Sequence, residues 1–232
     1  MIKKVVKAGI WLAFYCLTGL LIAVGRIVYA FQRKPAGQER IIVIRLDEIG
    51  DMVLLSPFLR ELRRGRPEAE IILVVKTAVY NLVELCPYVN EVLAYPRPGG
   101  RWMRLKQITR AFAFARDHLW RRSLTLAIVP RFDADAGYGA GWLAFFSGAP
   151  RRIAYRARVL PTKARSDLGF DRLYTEFVPA RPGVLHEVER NLDVLRYLGI
   201  AVQSEALEVW VDAQDEARAQ KLLSSGGGHA SS

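Results

Sequence analysis

Five consecutive residues, Asp47-Glu48-Ile49-Gly50-Asp51, put three carboxylates and a glycine into one short turn. A carboxylate held at a turn beside a helix start can take a proton from a hydroxyl at hydrogen-bond distance, which is general-base chemistry. Aspartate also fills the N-cap of a helix well, so Asp51 reads both as a base and as a cap. Asp47 and Glu48 are the neighbouring candidates. Gly50 would let the backbone turn sharply and let a substrate come close. With one glycine and no Gly-Lys-Ser/Thr, the turn is neither a dinucleotide fingerprint nor a phosphate loop.

The elements that must hold this turn are legible on either side of it. Ile41 to Ile44 is an apolar β-branched run, predicting a buried parallel strand; Leu55, Phe58, Leu59 and Leu62 predict the helix that follows. Ser56-Pro57 reads as an N-cap and first helical residue, or Pro57 kinks a helix begun at Asp51. Ligands of an open α/β sheet gather beyond the carboxyl ends of its strands, where this turn falls. Arg45 and Arg60 flank it and are candidates for anion contacts, whereas Arg63 and Arg64 suit a solvated face complementing the helix dipole.

The pattern then repeats. Ile71 to Val75 predicts a strand, Val79 to Leu85 a helix and Glu91 to Tyr95 a third strand. After a break at Pro96 to Gly100, Leu105, Ile108, Phe112, Ala115 and Leu119 recur at helical spacing. Arg104, Lys106, Arg110, Arg121 and Arg122 lie off that stripe, and with Trp102 and Trp120 they suit an acidic membrane surface or a plain solvated face. His118 is a surface or core histidine. Leu124 to Val129 predicts a fourth strand that delivers Arg131, Asp133 and Asp135 to the same edge as the first turn. Asp133 and Asp135 flank one residue, so in extended chain both carboxylates point the same way. Such a pair can hold a divalent ion under a diphosphate or serve to structure a loop or face a substrate. Gly137 to Gly148 predicts a helix packed closely on the sheet, Arg152 to Tyr155 a strand, and Ala157 to Pro182 a long loop. His186 opens a helix carrying Val188, Leu192, Leu195 and Leu198 and ended by Gly199. Leu207 to Leu223 reads as strand, turn and amphipathic helix, and Ser224 to Ser232 as a flexible tail. The whole predicts an α/β, Rossmann-like doubly wound parallel sheet over residues 40–223.

The chain has 232 residues, 51% of them hydrophobic, enough for a core. Its net charge of +11 implies an anionic partner. No zinc-finger spacing or RNA-binding aromatic signature is present, which argues against nucleic acid. Two cysteines give neither a disulfide framework nor a metal pattern. From Ala8 to Gly25 the chain is almost unbroken apolar, flanked by Lys3, Lys4, Lys7, Arg26, Arg33 and Lys34. Residues 1–34 are therefore read as a membrane-anchor helix and its flank, in preference to a core helix or a cleaved signal peptide.

Arg45-Leu46-Asp47-Glu48-Ile49-Gly50-Asp51, with Leu55-Ser56-Pro57 after it, resembles the opening of the family 9 glycosyltransferases, the heptosyltransferases of lipopolysaccharide core synthesis. Val129 to Asp135, Leu143 to Tyr155 and His186 to Asn191 are similar to that family in the same order. The resemblance implies a GT-B architecture, of which this chain is the N-terminal, acceptor-binding half. It implies metal-independent transfer of a sugar from an ADP-activated donor, such as ADP-heptose, to a lipid A-type acceptor, without a cofactor. Asp51 matches the family's catalytic aspartate. Gly50, Arg45, Arg60, Arg131, Asp133 and Asp135 are then substrate-binding candidates, and Arg156, Arg158, Lys163 and Arg165 are placed to meet the acceptor's negative groups. The implied partners are an anionic glycolipid, the membrane and a nucleotide sugar held by a C-terminal domain that the chain stops short of. Because nucleotide sugars are cytoplasmic, the resemblance places the domain on the cytoplasmic side of the inner membrane. The competing reading is a non-catalytic, membrane-anchored module that binds an anionic glycolipid or a partner chain.

Overall fold

A computed structural model describes residues 37–96, 103–133, 139–166, 169–183 and 186–226, with residues 16, 19–20 and 22–25 of the N-terminal segment. Six parallel strands form one sheet: β1 (Arg40–Arg45), β2 (Glu70–Lys76), β3 (Glu91–Tyr95), β4 (Leu126–Val129), β5 (Arg151–Tyr155) and β6 (Glu176–Val178). Their order is β3-β2-β1-β4-β5-β6, so the chain reverses direction across the sheet between β1 and β4. That is the doubly wound arrangement, and its reversal point leaves a crevice at the carboxyl edge.

Both faces of the sheet are covered, which is why its central strands are continuously apolar. Ile42, Ile44, Ile72, Val74, Ala127, Val129 and Ala154 point to one layer. It is built by α4 (Met103–His118) and α5 (Ala140–Phe146). Ile41, Val43, Ile71, Leu73, Val75, Ile128 and Ile153 point to the other. That layer holds α1 (Ile49–Val53), α2 (Ser56–Gly65), α3 (Tyr80–Val83) and α7 (Glu187–Tyr197). Each fully buried Val, Leu or Ile contributes about 1.5–3 kcal/mol. At the end of α2, Gly65 meets the side chain of Ile200, three residues beyond α7, so no Cβ fits at 65 without displacing Ile200. α7 ends as expected at Gly199, whose φ of +73° lets the Ile200 N–H reach the Leu195 carbonyl at 2.9 Å.

Several sequence expectations are corrected. The turn after β1 leads into a separate short helix, α1, and Pro57 lies in the first turn of a second, α2. Ser56 Oγ donates to the Val53 carbonyl at 2.7 Å, closing the joint between them. Residues 157–182 are not a loop. They contain a turn of 3-10 helix at Ala157–Val159, α6 (Pro161–Ser166), another 3-10 turn at Phe170–Leu173, and the sixth strand. Residues 207–211 form no regular secondary structure and pair with no strand among the described residues, and the helix beyond them, α8 (Ala213–Gly226), runs into the segment read as a flexible tail. Among the described residues no helix is long and apolar enough to cross a membrane. Most of the predicted anchor, residues 1–34, lies outside the described residues, as does Asp135.

Candidate active site at the reversal point of the sheet

Arg45 is the last residue of β1 and is 2% exposed, so its charge must be met by protein groups. Its Nε ion-pairs with Asp47 Oδ2 at 2.5 Å. Its Nη2 donates to Glu187 Oε1 at 2.8 Å and lies 3.9 Å from Asp51 Oδ1. Its Nη1 donates to Asn191 Oδ1 at 3.1 Å and to the Pro130 carbonyl. One guanidinium thus ties β1 to the turn after it, to the exit of β4 and to the first turns of α7. A planar fork with five N–H donors can do this; a lysine could not.

Asp47, also buried, bridges to a second cation: its Oδ1 pairs with Arg131, just beyond β4. The carboxylate therefore spans the crevice between β1 and β4. The β4 exit is fixed from outside as well. Lys163 Nζ donates to the Arg131 carbonyl at 3.2 Å and to the Tyr155 carbonyl at 3.0 Å. Phe132 packs edge-on to Tyr155, with Arg190 of α7 over its ring at 4.1 Å. Tyr155 Oη donates to the Arg190 carbonyl at 2.5 Å, and burial pushes the phenol's pKa well above its ordinary value, keeping it a donor.

Asp51 sits at the rim. It is the third residue of α1, not its N-cap; Glu48 holds that place. The two residues form a capping box, in which the Glu48 backbone N–H donates to Asp51 Oδ2 at 3.2 Å. Glu48 also pairs with Lys76, the last residue of β2. The Asp51 side chain is 40% exposed, so it is aimed by the cap and by the Arg45 guanidinium while remaining open to solvent. The arrangement leaves a carboxylate accessible to a bound hydroxyl, beside arginines on a fixed scaffold.

The other predicted residues fall in different places. Gly50 lies inside α1 with ordinary helical φ, and a Cβ there would meet nothing within 4 Å; the backbone does not need glycine. Arg60 does not face the turn. It donates to the Ser204 carbonyl at 3.1 Å and the Ala206 carbonyl at 3.0 Å and pairs with Glu208, holding the chain after α7 against α2. Asp133 is exposed beyond Phe132, and no described group of three His, Cys, Asp or Glu residues is placed to hold a metal ion. Arg156 lies over the Phe177 ring at 4.2 Å, Arg158 is exposed, and His186 is the N-cap of α7, its Nδ1 accepting from the Val188 N–H at 3.3 Å.

Glu187, Arg190 and Asn191 were not singled out from the sequence. They share one face of α7 at spacings of three and four, which was the available signal. Asn191 is buried and works both ways, accepting from Arg45 and donating to the Leu54 carbonyl at 3.2 Å.

No family model and no curated protein matches the sequence. Among solved structures, the neighbours of this fold include a glycosyl transferase family 9 protein and heptosyltransferases. A glycosyl transferase family 9 protein from Veillonella parvula shares 22% identity over 83% of this chain and 51% of its own, with a TM-score of 0.67. The E. coli heptosyltransferase WaaC, solved with ADP, aligns at a TM-score of 0.55 and 13% identity over 80% of this chain and 53% of its own. The E. coli ADP-heptose heptosyltransferase II aligns at 0.50 and 18% identity over 80% and 50%. The chain thus spans about half the length of the structures it matches.

Proposed function

We propose that this chain is the acceptor-binding half of a family 9-type glycosyltransferase that moves a sugar from an ADP-activated donor to an anionic, lipid A-type acceptor. The observation that carries the reading is Asp51. It is a solvent-open carboxylate aimed by Glu48 and Arg45 at the reversal point of the sheet, in a fold shared with transferases of that family.

In this reading Asp51 takes the proton from an acceptor hydroxyl. The hydroxyl oxygen bonds to the anomeric carbon of the donor sugar as the bond from that carbon to the diphosphate breaks, and ADP leaves with the electron pair. Attack comes from the face opposite the diphosphate, so the anomeric configuration inverts. A base positioned in this way contributes roughly 10²- to 10⁴-fold to the rate. Arg131, partly exposed beside Asp47, is the cation best placed to meet an acceptor phosphate or sugar-acid carboxylate. Arg45 acts by holding the carboxylates in position. The nucleotide sugar belongs to a second domain of the kind the longer neighbours have room for, and no metal takes part in the step. The site works on the cytoplasmic side of the inner membrane, where nucleotide sugars are made.

The test is transfer by the natural gene product from an ADP-sugar to a lipid A-type acceptor carrying sugar acids. The reading expects ADP release dependent on that acceptor. It expects Asp51→Ala to abolish release while acceptor binding survives. Loss of folding in Asp51→Ala without a separate loss of turnover would reduce Asp51 to a capping residue.

A further inference from the structure

The layer opposite α7 carries an exposed apolar surface. In the N-terminal segment the half-buried and buried positions are Gly19, Ile22 and Gly25, and the exposed ones are Cys16, Leu20, Ala23 and Val24. The two sets follow helical spacing, so one edge faces the domain and the other faces out. The inward edge is seated closely. Ile22 belongs to the core cluster of Trp142, Phe145 and Phe146, and Gly25 lies against the Phe145 ring so tightly that a Cβ would clash.

Among the described residues the outward edge is apolar, and the same layer exposes two aromatic side chains. Phe146 meets Phe112 edge-on at 5.4 Å, and Phe112 meets Trp120 at the same distance; both Phe112 and Trp120 are exposed. Trp120 is pinned, its Nε1 donating to the Phe146 carbonyl at 2.9 Å. In the same layer Lys106, Arg110 and Arg121 are exposed, and Arg110 and Arg121 enter no ion pair among the described residues. Asp117, paired with Arg116 at 2.7 Å, is the acidic residue of α4. Exposed apolar and indole groups in one layer with Arg110 and Arg121 match the boundary between acyl chains and anionic headgroups.

We propose that the layer of α4, α5 and the N-terminal helical residues is the face by which this domain lies on an anionic lipid bilayer. Leu20, Val24, Phe112 and Trp120 enter the acyl boundary while Arg110 and Arg121 meet lipid phosphates. A protein partner would need matching acidic and apolar groups, whereas an anionic bilayer supplies apolar and negatively charged groups together. The proposal holds whether or not the chain transfers a sugar.

The experiment uses the full chain with Cys16→Ser, reconstituted in phosphatidylglycerol-containing vesicles and labelled with a fluorophore at Thr109→Cys on α4. The same label at Asn81→Cys on α3, in the opposite layer, is the control. Nitroxide-headgroup lipids should quench the label at 109 and not at 81. Neutral phosphatidylcholine, or the R110Q/R121Q variant, should reduce the ratio of docked to undocked domain about fivefold per charge lost. Equal quenching at both sites overturns the proposal, as does quenching at 109 that neither change alters. So does the absence of quenching at 109 while the chain floats with the vesicles, which would leave the face to a protein.

Discussion

Arg45 and Glu187 stand 142 residues apart in the chain, and their side chains meet at 2.8 Å where the sheet reverses. The contact joins the first strand to the first turn of α7, and buried Asp47 and Asn191 meet the same guanidinium. Removing one partner of such a cluster leaves the others charged and dry. Arg45→Met is expected to cost about 3–5 kcal/mol. Urea unfolding monitored by circular dichroism checks this, and a loss below about 1 kcal/mol, the size of a surface pair, would contradict a buried hub.

Gly50→Ala separates conformation from contact. The position is helical and a Cβ there meets open space, so the substitution should leave folding intact or add about 0.5–1 kcal/mol. Thermal denaturation gives the first number and acceptor binding the second. Weaker acceptor binding in a protein of undiminished stability would place substrate against α1; unchanged binding would remove Gly50 from the substrate surface.

Glu208 makes a pH prediction. Burial works to raise its pKa, but hydrogen bonds from Arg60 and Tyr88 Oη outweigh that and hold it below the ordinary glutamate value. A carboxylate whose folded pKa is depressed contributes stability above its unfolded pKa, near 4.3, and that contribution fades as pH falls through the folded value. Wild type should therefore be more stable than Glu208→Gln at pH 7, with the gap closing under acid. Because Glu208 is only half-buried, the gap should be small. A gap that widens below pH 4 would reverse the sign of the argument.

The two thiols should behave differently. Burial pushes the Cys86 thiol up to about 11, whereas Cys16 is exposed. A thiolate-specific disulfide reagent at pH 8 should titrate one thiol in the native protein and two after denaturation. Two fast-reacting thiols in the native state would show that the packing around Cys86 is looser than described.

The sheet was legible because its central strands are β-branched runs separated by segments of helical period. Ile41–Ile44, Ile71–Val75 and Glu91–Tyr95 fell within a residue of their observed bounds. β6 was not legible: three residues, Glu176-Phe177-Val178, carry too little pattern, and only pairing with β5 makes them a strand. The arginines were misread for a related reason. Arg45 and Arg60 looked like free cations beside a turn, but Glu187 and Glu208, which meet them, lie 142 and 148 residues away. Local sequence shows a charge without showing its distant partner. Asp51 was placed at the right edge, yet its role in the cap differed, because the short helix begins before it and makes Glu48 the N-cap.

The central claim is that Asp51 is a base and not only part of a cap, and Asp51→Asn divides the two. The amide keeps an oxygen to accept the Glu48 N–H but cannot take a proton from a hydroxyl. In the natural gene product the variant should unfold within about 1 kcal/mol of wild type. Its turnover from an ADP-sugar donor to a lipid A-type acceptor should fall about 10²- to 10⁴-fold, with acceptor binding retained. Turnover within a few-fold of wild type would contradict the account and leave Asp51 a capping residue.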